Sequence, residues 1–198
     1  MYAQSPKLSP KEYLTLEAGS PIKHEYFDGD VFAMAGATDA HVTIAGNLFA
    51  ELRSHLRGSG CRVFISDMKA RIESRNCFFY PDILVTCDPR DTETDTYKRF
   101  PKLIIEVLSK STESFDRGKK FHDYLTLESL EEYVLIDSRV RRVEVFRRQP
   151  GDLWLFQSYD DTSEFRLESI DYTGTFEMLY EDVVIVPEES EEPLDSEA

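Results

Sequence analysis

The spacing of apolar residues changes from helical to alternating several times along this chain, and the changes outline its elements. Ser9-Pro10-Lys11-Glu12 has the form of a capping box with proline at the first helical position. A short helix is expected there, ending at Ala18-Gly19 with the glycine as a left-handed cap. Residues 22–26 and 31–34 read as strands flanking Asp28-Gly29, a hairpin turn signal. Thr38 or Asp39 can cap a longer helix, in which Val42, Ala45, Leu48, Phe49, Leu52 and Leu56 recur at threes and fours before Gly58 stops it.

Further strands are predicted over 62–66, 69–72, 83–85, 103–108, 133–136, 142–146, 153–159 and 164–167. A third helix is predicted from Ser114 or Phe115 to Leu127, and the polar stretch 88–99 as a mobile loop. The segment 103–108 is apolar on both faces except at Glu106, the pattern of a central strand. This order predicts a mixed α/β fold with a central mixed sheet flanked by helices. One domain is expected over 1–187, followed by an acidic tail, 188–198, with too little apolar surface to order itself.

Composition narrows the function classes. With 198 residues, 41% of them hydrophobic, the chain can bury a substantial core. No apolar run approaches the roughly 20 residues of a membrane helix, and the first residues lack a leader pattern. A soluble cytoplasmic protein is expected. Cys61, Cys77 and Cys87 are odd in number and include no closely spaced pair, so neither a disulfide framework nor a zinc site is expected. The formal charge of −15 argues against a simple nucleic-acid binder, which usually carries a basic footprint.

Two acids carry the candidate chemistry. Asp82 sits in Tyr80-Pro81-Asp82 ahead of an apolar run, and Glu106 lies within Leu103-Ile104-Ile105-Glu106-Val107-Leu108. A carboxylate inside such a run is costly to bury unless it is paired, hydrogen-bonded or bound to a metal. Neighbouring strands would bring the two together as ligands for magnesium, which takes oxygen donors. The alternative is a buried carboxylate held by an Arg or Lys. Asp116, Lys120 and Tyr124 follow at intervals of four and share one helical face. Lys120 could then hold the attacking water or offset charge on phosphate, unless Asp116 and Lys120 form only a surface pair. Glu25 is either a third acid or a solvent-facing strand residue. His41, in the first turn of the second helix, is either a catalytic group or a structural hydrogen-bond donor.

The ordered set Glu25, His41, Pro81-Asp82, Glu106-Val107-Leu108-Ser109-Lys110-Ser111-Thr112, Asp116, Lys120, Tyr124 and Glu132-Tyr133 resembles the Uma-type family of restriction-endonuclease-like proteins, in the PD-(D/E)XK nuclease superfamily. The resemblance covers about residues 9 to 185. It implies a restriction-endonuclease-like core, with Asp82 and Glu106 as ligands to Mg2+ or Mn2+ and the Val107 carbonyl as a possible third. The superfamily lysine expected two residues after the glutamate is Leu108 here, and Lys120 from the following helix is its match, with Lys119 as fallback.

The leading expectation is therefore a metal-dependent endonuclease acting on DNA, with Glu25 or His41 tuning the cleft. The alternative is a catalytically inactive binding or regulatory module on the same fold. Superfamily nucleases that cut both strands commonly work as dimers, so a homodimer is also expected, with the arginine-rich strands around Arg139 to Arg148 as the candidate edge.

Overall fold

A six-stranded sheet built from the middle of the chain organises the structure, a computed structural model that describes residues 7–34 and 36–185. Its order is β11 (Leu153–Asp160), β10 (Arg142–Gln149), β9 (Glu132–Asp137), β8 (Leu103–Leu108), β6 (Ile83–Thr86) and β3 (Arg62–Ile65). Only β8 and β9 run parallel within it, so the sheet is mixed, as expected. A second sheet joins β2 (Asp30–Ala33), β1 (His24–Phe27), β5 (Cys77–Phe79), β4 (Lys69–Ile72) and β7 (Tyr97–Lys98). A small pair, β12 (Phe165–Leu167) with β13 (Tyr172–Gly174), follows.

Both faces of the main sheet are covered, which explains the unbroken apolar run of β8. Leu103, Ile105 and Val107 point to one face and pack under helix α2 (Asp39–His55) and the short helix α5 (Phe176–Leu179). Ile104 and Leu108 point to the other, where the second sheet and Tyr124 cover them. Glu106 alternates onto this second face.

Local chemistry sets most element ends. Ser9 caps helix α1 (Pro10–Gly19) with the full capping box, its hydroxyl accepting from the Glu12 N–H. Gly19 is the last helical residue and not a left-handed cap; the chain leaves through Ser20 in extended conformation. Asp28 and Gly29 both take positive φ, 44° and 95°, as a tight hairpin turn requires. Thr38 caps α2, whose buried stripe is Ile44, Ala45, Leu48 and Leu52. Ala45, Leu48, Phe49, Leu52 and Leu56 face the core as expected, but Val42 faces solvent, and Ile44 takes the inward position at that end.

Three further expectations are corrected. The segment 88–99 is folded: Asp91 is buried and accepts from the Arg99 N–H at 2.7 Å and the Thr86 hydroxyl at 2.6 Å. A turn over Pro89–Thr92 and strand β7 complete it. Cys77–Phe79 is a strand the periodicity did not mark, buried at all three positions. Cys61 and Cys87 form a disulfide, because the register Arg62↔Thr86 sets the residues just beyond it opposite each other. The expected disordered tail lies outside the described residues.

Candidate active site

Strand register brings Asp82 to Glu106. Ile83 pairs with Ile105 across β6 and β8, so the residues one step beyond, Asp82 and Glu106, face each other at the end of that ladder. The Val107 N–H donates to Asp82 Oδ2 at 2.7 Å, which pins the carboxylate to β8. His41, in the first turn of α2, reaches the other oxygen: Nε2 lies 2.9 Å from Asp82 Oδ1. The His41 Nδ1 atom is buried and without a hydrogen-bond partner, the sole such side-chain nitrogen or oxygen among the described residues.

The lysine arrives on an irregular helix. It begins as α3 (Glu113–Phe115), widens to a π-helical turn over Asp116–Lys120, and continues as α4 (Phe121–Tyr124). π-turns inside helices carry an extra residue per turn and occur frequently at functional sites. Asp116, Lys120 and Tyr124 are all buried on the inward side, so the expected shared face exists, and the surface-pair alternative for Asp116 and Lys120 does not hold. Lys120 Nζ lies 3.0 Å from Glu106 Oε1, 3.1 Å from Glu25 Oε1 and 3.4 Å from Asp116 Oδ1. The Tyr124 hydroxyl donates to Glu106 Oε1 at 3.2 Å.

Glu25 joins from the second sheet. Its carboxylate also accepts the Tyr80 N–H at 3.2 Å, and its side chain is 13% exposed, so it is a cleft acid and not a solvent-facing strand residue. An ion network holds the helix that bears Lys120: Arg117 pairs with Glu113 and Glu144, and Arg139 links Glu113 to Asp137.

Three carboxylates, Glu106, Glu25 and Asp116, thus surround one ammonium, and Asp82 lies beside Glu106 at the end of the ladder. Burial works against the Lys120 charge, but Glu106 and Glu25 outweigh it and, with Tyr124 and Asp116, push the ammonium well above the ordinary lysine value. Burial pushes the Glu106 carboxyl well above the usual carboxylate range; Asp116, Asp82 and Glu25 add to this, and Lys120 opposes it. His41 is likewise raised: burial disfavours its charge, but the hydrogen bond and charge of Asp82, with Asp116, prevail. Lys120 is therefore a cation held among acidic side chains.

Carboxyl oxygens are the donors that a hard divalent cation takes. The residues fit such an ion in kind. Among the described residues, however, no three His, Cys, Asp or Glu side chains converge as ready ligands. Asp82 is held by His41 and Val107, and Glu106 by Lys120 and Tyr124, so binding an ion requires exchanging protein partners.

The structure gathers all six residues singled out from sequence: Asp82, Glu106, Val107, Lys120, Glu25 and His41. Leu108, where the superfamily lysine would stand, lies in the apolar core on the same face as Glu106. Asp116 had been placed on the helical face but not in the cleft; its spacing of four from Lys120 was the available signal. A group of phenylalanines beside Glu25 (Phe27, Phe32, Phe79 and Phe115) had no sequence signal.

Comparison with known proteins gives the chain relatives and a family. An uncharacterized Synechocystis sp. protein, slr1290, is 37% identical over 178 residues, spanning 90% of this chain and 94% of the relative. A second, sll1609, is 35% identical over 150 residues, covering 75% of this chain and 85% of its own length. The crystal structure of an Anabaena variabilis protein described as "a putative nuclease belonging to DUF820" shares the fold, with a TM-score of 0.72 and 18% identity over 87% of this chain and 97% of that one. Residues 10–173 match the Uma2 family, described as "Putative restriction endonuclease", and with two relatives above 30% identity the chain belongs to that family.

Proposed function

We propose that this protein is a divalent-cation-dependent nuclease that hydrolyses phosphodiester bonds in DNA. The observation that carries this reading is the meeting of Asp82, Glu106 and Lys120 from two strand ends and a π-helical turn, with Lys120 Nζ 3.0 Å from Glu106 Oε1. Asp82 and Glu106, with the Val107 carbonyl, are the proposed ligands for Mg2+ or Mn2+. Such an ion, when bound, polarises the scissile phosphate and acidifies a water. Lys120 holds the attacking water and offsets the negative charge that grows on phosphate. His41 and the Val107 N–H orient Asp82, and Glu25 positions Lys120.

The arginine-rich strand β10 is paired on both sides and is no edge, so the proposed working form is a homodimer formed through its neighbour β11. This strand ends the main sheet and exposes Leu153, Leu155 and Phe156. A Leu155→Lys variant that runs as a monomer on a sizing column, where the wild type runs as a dimer, supports the edge; an unchanged elution position sinks it.

A second reading, a non-catalytic module on the same fold, is favoured by the protein partners that already occupy Asp82 and Glu106. Cleavage of supercoiled, linear and single-stranded DNA in magnesium and in manganese separates the two. Cutting by wild type that Asp82→Ala and Glu106→Ala both lose, with Mn2+ binding lost by calorimetry in the folded variants, supports the nuclease. Absence of cutting in every metal, or equal cutting by all three proteins, supports the module.

A further inference from the structure

We propose that the phenylalanine-lined cavity beside the carboxylate–lysine cluster holds an unpaired nucleobase, so that the substrate is single-stranded or locally unpaired nucleic acid. The inference rests on the nuclease reading and specifies its substrate class.

The cavity encloses about 320 Å3 and is lined by Glu25, Phe27, Phe32, Phe79, Phe115 and Lys119. It shares walls with the proposed catalytic cluster. Glu25 lines the cavity and also pairs with Lys120. Phe79 lines it and lies 5.8 Å from Lys120 Nζ, measured to the ring centre. A group seated among the rings would therefore be joined to a phosphate near Lys120 by a short tether, the relation of a base to its own backbone.

Part of the ring surface is open to a flat partner. Phe79 meets Phe115 edge to face, with centroids 5.8 Å apart and planes at 87°. Phe32 on β2 and Phe115 on α3 remain 57% and 37% exposed although they come from different elements. Exposed rings flanking a concave apolar site are what base stacking uses, and every base offers a π-face. Lys119, with Nζ 3.1 Å from the centre of the Phe27 ring and 3.0 Å from Asp123 Oδ2, covers that ring at the cavity wall.

Size and charge select this occupant over a duplex. A cavity of 320 Å3 admits a base only after it has left its stack. A chain of net charge −15 gains little from long-range attraction to phosphate. Stacking supplies affinity without a basic footprint, so binding here should depend weakly on salt.

Fluorescence anisotropy of a labelled 12-nucleotide single strand and of its duplex, in EDTA so that no cutting occurs, tests the proposal apart from catalysis. We expect the single strand to bind at least tenfold more tightly than the duplex. Phe32→Ala and Phe115→Ala should each weaken single-strand binding about five- to tenfold, and Phe32→Trp should restore it. Circular dichroism checks that each variant is folded. Equal affinity for strand and duplex, or folded alanine variants that bind as wild type does, overturns the proposal. Phe32-dependent strand binding without cleavage in any metal overturns the nuclease reading and leaves the base site standing. Duplex cleavage indifferent to Phe32→Ala does the reverse.

Discussion

Lys120 reaches Glu106 from a different element of the chain, Nζ to Oε1 at 3.0 Å, although the superfamily pattern would place a lysine two residues away on the same strand. The position on the strand is Leu108, and its side chain packs in the core. An ammonium thus meets the glutamate in space although the strand position two residues on is apolar.

Removing this cation should therefore damage both stability and chemistry. Lys120→Met leaves buried carboxylates uncompensated, and an unpaired buried charge typically costs about 3–5 kcal/mol. Urea denaturation should show a loss of that order, with cleavage abolished. The double variant Lys120→Met/Glu106→Gln should regain much of the stability and none of the activity, because the two groups share one interaction.

Thiol chemistry offers an independent check of the strand register. In denaturant without reductant, a thiol-reactive probe should count one free cysteine, Cys77, and three after reduction. In the folded protein Cys77 should react slowly, since burial, reinforced by Asp123, pushes its thiol up to about 12. Reduction should lower stability by about 3 kcal/mol, the chain-entropy expectation for a loop of moderate length. Three reactive thiols before reduction would contradict the pairing.

Acid should loosen the clasp on the lysine-bearing helix. Burial alone would raise the Asp137 carboxyl, but hydrogen bonds and charge from Arg139 hold it below its ordinary value of 3.8. The group binds fewer protons folded than unfolded, so its contribution to stability is complete above 3.8 and fades as pH falls through the lower folded value. Stability measured between about pH 5 and pH 2 should drop less steeply for Asp137→Asn than for wild type. Identical slopes would remove Asp137 from the acid limb.

A second buried pair ties the C-terminal hairpin to the main sheet. Glu132 accepts from Arg147 Nε at 2.7 Å and from the backbone N–H groups of Glu168 and Ser169 at 3.0 and 2.9 Å. Glu132→Ala removes the buried carboxylate that pairs with Arg147 and leaves the guanidinium its neutral acceptors Gln157, Tyr159 and the Arg166 carbonyl; it should cost about 3 kcal/mol, whereas Glu132→Gln keeps an acceptor and should cost less. Chemical denaturation of the two variants checks the order.

Much of the site was legible because burial makes charge conspicuous. Glu106 stands out in an apolar run, and such a residue must find partners whatever the fold. The spacing of Lys120 and Tyr124 survived even though their helix contains a π-turn, because both still face inward. Contacts that depend on how sheets pack were not legible. Cys61 and Cys87 are 26 residues apart, and only the diversion of β4 and β5 into a second sheet makes β3 and β6 neighbours. Only the first position of the α2 stripe was not legible, because Val42 and Ile44 are both apolar and the sheet below chooses between them. The phenylalanine cavity gathers rings from β1, β2, β5 and α3, a set that no single stretch of chain displays.

The π-helical turn at Asp116–Lys120 also makes this part of the protein sensitive to chain length in a way that residue identity does not capture. A π-turn is an α-helix carrying one surplus residue. Losing one codon within it, even that of Gly118, would let the helix relax to the regular form and turn one flank by about 100° relative to the other. Either the Glu113 clasp or the Tyr124 side would then lose its register with the sheet. A substitution here disturbs its own contacts, whereas a one-residue deletion would displace those of a whole flank at once.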